Sequence, residues 1–161
     1  MGVMILCIYL INPKLNDKFI DESSYPTLAA NYIVNNLNLD EIKLFNDYNY
    51  GSYLIFRGIP VFIDSRADLY VPEFNGSKDE NGKFVGRDIF SDFLNISGIG
   101  TFYEDKFEEY GITHVITENN SKLNLLISRD ENYDKLYSDS YFTVYKRIIK
   151  QGEEENNEKD L

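Results

Sequence analysis

Residues 45–70 read FNDYNYGSYLIFRGIPVFIDSRADLY and set Asp47, Asp64, Arg66 and Asp68 around two short apolar runs. A charge that directly follows a buried strand is costly unless it is paired or put to use. The segment therefore either holds a fold together or binds something. Val61, Phe62 and Ile63 lie between Pro60 and Asp64 and read as a short buried strand. Asp64, Arg66 and Asp68 alternate, so an extended backbone would place all three on one face.

The rest of the chain supplies the layers for such a strand. Ser23, Ser24 and Pro26 open a helix whose apolar face is Ala30, Ile33, Val34 and Leu37. Residues 42–45 read as a strand, 46–50 as a turn and 53–56 as a short helix stopped by Gly58. Residues 71–86 carry Pro72, Gly76, Gly82 and Gly86 and read as a long loop. Two helices follow: 87–96, with Ile89, Phe90, Phe93 and Leu94 inward, and 102–110, closed by Gly111. Residues 114–117 read as a strand, and 121–127 as a helix with Leu123, Leu126 and Ile127 on one side. Residues 133–137 and 142–148 pair as a hairpin turning at Ser138, Asp139 and Ser140, its second strand near an edge. This alternation predicts an α/β layered domain. Its sheet is mixed and mostly parallel, with about five strands and a C-terminal antiparallel hairpin.

The ends differ from the middle. Val3 to Ile11 is an unbroken apolar run, VMILCIYLI, followed by Asn12 and Pro13. It is too short for a whole spanning helix, which needs about 20 residues. It lacks the basic start and cleavage site of a signal peptide. Two readings remain: the last turns of a transmembrane helix, or the first element of a soluble core. Residues 150–161 are polar and charged and read as a disordered acidic tail, which leaves 13–149 as a single domain.

The formal net charge is −11, of which −3 belongs to the tail from Lys150 onward. An acidic body repels phosphate backbones, which argues against nucleic acid as a partner. One Cys (Cys7) and one His (His114) exclude an internal disulfide and a Cys/His metal site. No Gly-rich phosphate loop, nucleophile elbow or metalloprotease helix motif occurs.

Asp47 follows the strand at 42–45, so a parallel arrangement would bring it to the same sheet rim as Asp64. With Tyr50 and Tyr53 nearby, the ligand-binding candidates are Asp47, Tyr50, Tyr53, Asp64, Arg66 and Asp68. Carboxylates beside flat aromatic faces suit sugar hydroxyls and rings. Asp64 and Asp68 flanking one guanidinium would equally make a structural network. No catalytic residue is assigned and no cofactor is expected, a divalent cation being the one such carboxylates would suit.

The segment NDYNYGSYLIFRGIPVFIDSRADLY resembles the soluble C-terminal domain of polytopic membrane proteins similar to glycosyltransferases that use lipid-linked sugars. The likeness rests on Asn46-Asp47, Gly51 with Tyr53-Leu54, Val61-Phe62-Ile63-Asp64, Arg66, Asp68, Tyr70 and Arg147. Ser52 and Ser65 stand where that pattern has glycine. The resemblance implies that residues 1–12 end a transmembrane helix and that the domain is extracytoplasmic. It implies as partners the membrane portion of the same protein and a glycan or lipid-linked sugar. It also implies that sugar-transfer chemistry lies outside this chain. Two rival readings are a free-standing carboxylate-based hydrolase or cation/sugar-binding protein using Asp47, Asp64 and Asp68, and an interaction module with an acidic face.

Overall fold

In the computed structural model, residues 20–148 are described. The expectations for residues 1–12 and 150–161 lie outside them. Helix α1 (Thr27–Asn36) follows Pro26 and buries Ala29, Ala30 and Ile33. Strand β1 (Leu44–Phe45) leads to α2 (Tyr48–Phe56). A 3₁₀ turn (Ala67–Tyr70), a one-turn helix α3 (Pro72–Asn75) and a small hairpin of β2 (Ser77–Lys78) and β3 (Phe84–Val85) come next. Then follow α4 (Ile89–Gly98), α5 (Tyr103–Tyr110), β4 (His114–Glu118) and α6 (Lys122–Ile127). Strands β5 (Tyr133–Ser138) and β6 (Phe142–Arg147) close the domain. Among the described residues no helix is long and apolar enough to cross a membrane.

The main sheet is mixed, in the order β1-β4-β6-β5, with the C-terminal hairpin β5–β6 at one side. Its two faces bury different side chains because successive residues on a strand point opposite ways. Leu44, Ile116 and Val144 face α1 and α2. Phe45, Val115 and Tyr145 face α4, α5 and α6. The result is a three-layer α/β domain. Phe45 anchors the second face, its ring 5.0 Å from Phe107, 5.1 Å from Phe62 and 6.2 Å from Phe93. Burying one such side chain contributes roughly 1.5–3 kcal/mol.

Among the described residues only the β1–β4 pairing is parallel, where a mostly parallel sheet was expected; β4–β6 and β5–β6 are antiparallel. The reason lies at residues 61–63, which bend at Phe62 and form no strand. The buried Asn46 side chain takes the neighbouring strand's part. Its Oδ1 accepts from the Phe62 amide at 2.8 Å and its Nδ2 donates to the Ile63 carbonyl at 2.8 Å. One amide thus satisfies backbone groups that a ladder would otherwise pair.

Other local expectations shift as well. The turn at 46–50 is already the start of α2, because the Asp47 carboxylate accepts from the Asn49 amide at 2.9 Å and caps the helix. Strand β6 lies between β4 and β5, so both its edges are paired; the edge on this side belongs to β5, whose Asp134, Lys135 and local bulge blunt it. Val34, Leu94 and Leu126 are exposed rather than inward, with Ile96 taking the buried place on α4.

Candidate functional site

The carboxyl ends of parallel β1 and β4 open onto a cleft, the usual place for a ligand in an α/β sheet. Its polar lining is Asp47, Ser97, Thr117, Glu118 and Ser121, set among Phe45, Tyr50, Ile116 and Leu123. Its cavity volume is about 100 Å³, below the roughly 300–1,000 Å³ usual for small-molecule sites.

Two helix starts frame this cleft. Asp47 caps α2, and the Ser121 hydroxyl caps α6 by accepting from the Asn124 amide at 3.1 Å. Asn124 in turn accepts from the Thr117 hydroxyl at 3.0 Å and the Tyr145 hydroxyl at 2.8 Å. Asn119 accepts from Thr143 at 2.7 Å and donates to the Asp139 carbonyl at 2.9 Å. These part-buried amide contacts fix the segment after β4, and with it Glu118. Glu118 is half-buried; burial, then the nearby Asp47 charge, raises its pKa above the ordinary carboxylate value.

The six candidates divide among three places. Asp47 and Tyr50 line the cleft, but the Tyr50 ring is fully buried. Its hydroxyl donates to the Ile116 carbonyl at 3.0 Å and its ring meets Phe142 edge-on at 5.4 Å, so it is a wall rather than a sugar platform. Burial, then the Asp47 charge, raises its pKa well above the usual phenol value. Tyr53 lies away from the cleft, 5.8 Å from the Tyr25 ring and accepting from Arg57 at 3.1 Å. Asp68 is exposed on the 3₁₀ turn.

Asp64 and Arg66 form their own network. The Asp64 side chain has no exposed surface, whereas Arg66 is 62% exposed. Arg66 Nε donates to Asp64 Oδ1 at 2.9 Å, its Nη2 reaches Oδ2 at 2.5 Å, and its backbone amide donates to Oδ1 at 2.8 Å. The Tyr70 hydroxyl donates to Oδ2 at 2.9 Å. The Arg66 side chain, first of these, holds the Asp64 carboxyl down at about 2, against the opposing effect of burial. Such a carboxylate is neither a free base nor an open cation ligand.

Asp47 and Asp64 do share the carboxyl rim, as the Asn46 contacts to residues 62 and 63 require. They do not share a pocket. Among the described residues no hydrogen bond joins them, and Asp68 joins neither. No group of three or more His, Cys, Asp or Glu side chains suited to a metal occurs among the described residues. His114 is a buried strand residue whose Nδ1 lies 2.9 Å from the Thr113 hydroxyl, its pKa lowered by burial and by Lys146.

The sequence reading overlooked Glu118, Ser97 and Ser121. Glu118 ends the buried strand HVITE, the same signal that singled out Asp64. Ser97 and Ser121 reach the site only through helix packing, which no local pattern marks.

Ser52 Oγ lies 2.8 Å from Ser65 Oγ, so the two hydroxyls pair. Neither needs a left-handed backbone, since Ile99 is the one non-glycine with positive φ among the described residues. Gly51 is different: an added Cβ would overlap the Ile63 carbonyl oxygen and lie 2.8 Å from Asp64 Cα. Comparison with known proteins finds no matching family model, curated protein or solved structure.

Proposed function

We propose that this chain is a non-catalytic, extracytoplasmic domain at the C-terminal end of a multi-span membrane protein of glycosyltransferase-like type, and that it contacts a glycan or lipid-linked sugar at the carboxyl rim. The reading draws on the resemblance of residues 46–70 and on the carboxylates and hydroxyls that line part of the rim cleft. The observation that carries it is the division of labour between carboxylates. Asp64 is engaged by Arg66 and Tyr70, while Asp47 and Glu118 face a cleft with the hydroxyls of Ser97 and Ser121. Paired acceptors with small hydroxyls suit a polyhydroxylated ligand more than a charged phosphate, which two carboxylates would repel.

Calorimetric titration of the chain with monosaccharides, short oligosaccharides, Ca²⁺ and Mg²⁺ tests it. Saturable sugar binding that Asp47→Asn and Glu118→Gln each weaken without destabilising the domain supports the reading. No sugar heat with any member of the panel, or binding that both variants leave intact, counts against it.

A second reading, a carboxylate-based hydrolase, is favoured by one feature. Glu118 is raised by burial and by Asp47, as a general acid requires. It differs from the hydrolase expected from the sequence, because Asp64 and Asp68 stand outside the cleft. Turnover of a glycoside lost in Glu118→Gln would favour it over the binding role.

A further inference from the structure

Strand β4 runs from one rim of the sheet to the other, with Glu118 at the cleft and His114 about 13 Å away. The His114 rim holds a groove of about 640 Å³. That volume falls within the roughly 300–1,000 Å³ usual for small-molecule sites. Sheet register sets its floor. Lys146 of β6 stands directly opposite His114 of β4 on one side and Asp134 of β5 on the other. Residues directly opposite on antiparallel strands have Cβ atoms about 5 Å apart and point to one face, so the three side chains form a row. Helix α1 stops at Asn36 beside this groove.

His114 is 8% exposed, and its two ring nitrogens are not equivalent. Nδ1 lies 2.9 Å from Thr113 Oγ1. That oxygen already accepts from the Lys43 amide at 2.9 Å, and the other acceptor within its reach, the Lys43 carbonyl, is 3.5 Å away. The hydroxyl proton is best used on Nδ1, which leaves the ring hydrogen on Nε2. Burial, then the Lys146 charge, lowers the pKa and keeps the ring neutral at pH 7. Among the described residues Nε2 has no hydrogen-bond partner, and the one sealed, unpaired side-chain atom is the Thr27 hydroxyl oxygen, so Nε2 opens on the groove. The Lys146 and Asp134 side chains are exposed and make no hydrogen bond or ion pair among the described residues, although they face each other across β5–β6. The other charged groups at the groove are engaged: Glu41 accepts from Asn38 at 2.7 Å, and Arg147 donates to Glu104 at 2.8 Å.

We propose that this groove binds a free apolar α-amino acid. The Lys146 ammonium and the Nε2 hydrogen of His114 take its carboxylate, Asp134 takes its ammonium, and Leu37, Ile42, Leu136 and Ile148 take its side chain. An α-amino acid carries opposite charges on one carbon, which matches a cation and an anion side by side on neighbouring strands. A phosphate dianion would be repelled by Asp134 and Glu41. A fatty acid would leave Asp134 unanswered, and an alkylamine would leave Lys146 so. The site shares no residue with the Asp47–Glu118 cleft and stands whether or not that cleft takes a sugar.

His114 is the one histidine of the chain, so its imidazole signals report on this groove alone. In the ¹⁵N-labelled full chain the ring nitrogens should show the Nε2–H tautomer. Titration with L-leucine should move them saturably and leave the amides of Asp47 and Glu118 in place. Lys146→Gln and Asp134→Asn should each raise the Kd for leucine about tenfold, the loss of one charge-assisted contact. Both positions are exposed, so amide dispersion should stay that of the folded wild type. Isocaproate, isoamylamine and inorganic phosphate should each bind more weakly than leucine. An imidazole that leucine leaves unmoved, an Nδ1–H tautomer, or leucine binding that both variants leave intact overturns the proposal. Isocaproate or phosphate binding as tightly as leucine, or leucine moving the cleft amides instead, overturns it as well.

Discussion

Asp64 shows how a single residue can look like chemistry and serve architecture. A buried carboxylate must be paired, and Arg66 and Tyr70 do the pairing. Asp64→Asn should therefore cost roughly 1–3 kcal/mol in urea unfolding, the usual range for a buried group losing charge-assisted hydrogen bonds. The pH dependence has a definite sign. The folded carboxyl lies at about 2 against an ordinary value of 3.8, so its contribution is complete above pH 3.8 and disappears as pH falls toward 2. That contribution is on the order of 2 kcal/mol. Wild-type stability should fall more steeply across this window than that of Asp64→Asn. Glu118 has the opposite sign: its raised value means that the folded state disfavours the charge, so Glu118→Gln should stabilise the domain at neutral pH. Thermal unfolding at pH 7 checks this.

At the scale of elements, the junction between β1, α2 and residues 59–66 depends on contacts that are close in space and far in sequence. Asn46→Ala removes both partners of the Phe62 amide and the Ile63 carbonyl and should cost roughly 2–4 kcal/mol. Hydrogen exchange at the Phe62 amide should accelerate with it. Gly51→Ala should cost about 3 kcal/mol or more, because the atoms it meets are backbone and cannot rotate away. Ser52 and Ser65 should show a coupling of roughly 0.5 kcal/mol in a double-mutant cycle, small because both are exposed. Additivity of the two alanine variants would deny the pairing. Much of the element order was legible because turn residues and apolar spacing mark the longer helices. Gly111, for instance, stops α5 in the left-handed conformation that its sequence position implies. The strand at 61–63 was misread for a physical reason. Apolar β-rich character marks a buried extended segment, and only the partner decides whether it becomes a strand.

At the scale of the whole molecule, one rim of the sheet carries the cleft. The parallel pair β1–β4 ends there in Asp47 and Glu118, Asn46 ties residues 62 and 63 to the same end, and α1 begins there. The sequence showed that charges follow strands, which made Asp47 and Asp64 visible. It could not show that α2 lies between their roles, leaving one carboxylate facing a cleft and the other bound to Arg66. Amide chemical shifts of the ¹⁵N-labelled chain, followed through titration with the same sugars and cations, test this division directly. Shifts should concentrate at Asp47, Ser97, Thr117, Glu118 and Ser121 and leave Asp64, Arg66 and Tyr70 unmoved. A ligand that instead moves the Asp64 network and spares the cleft would contradict the account.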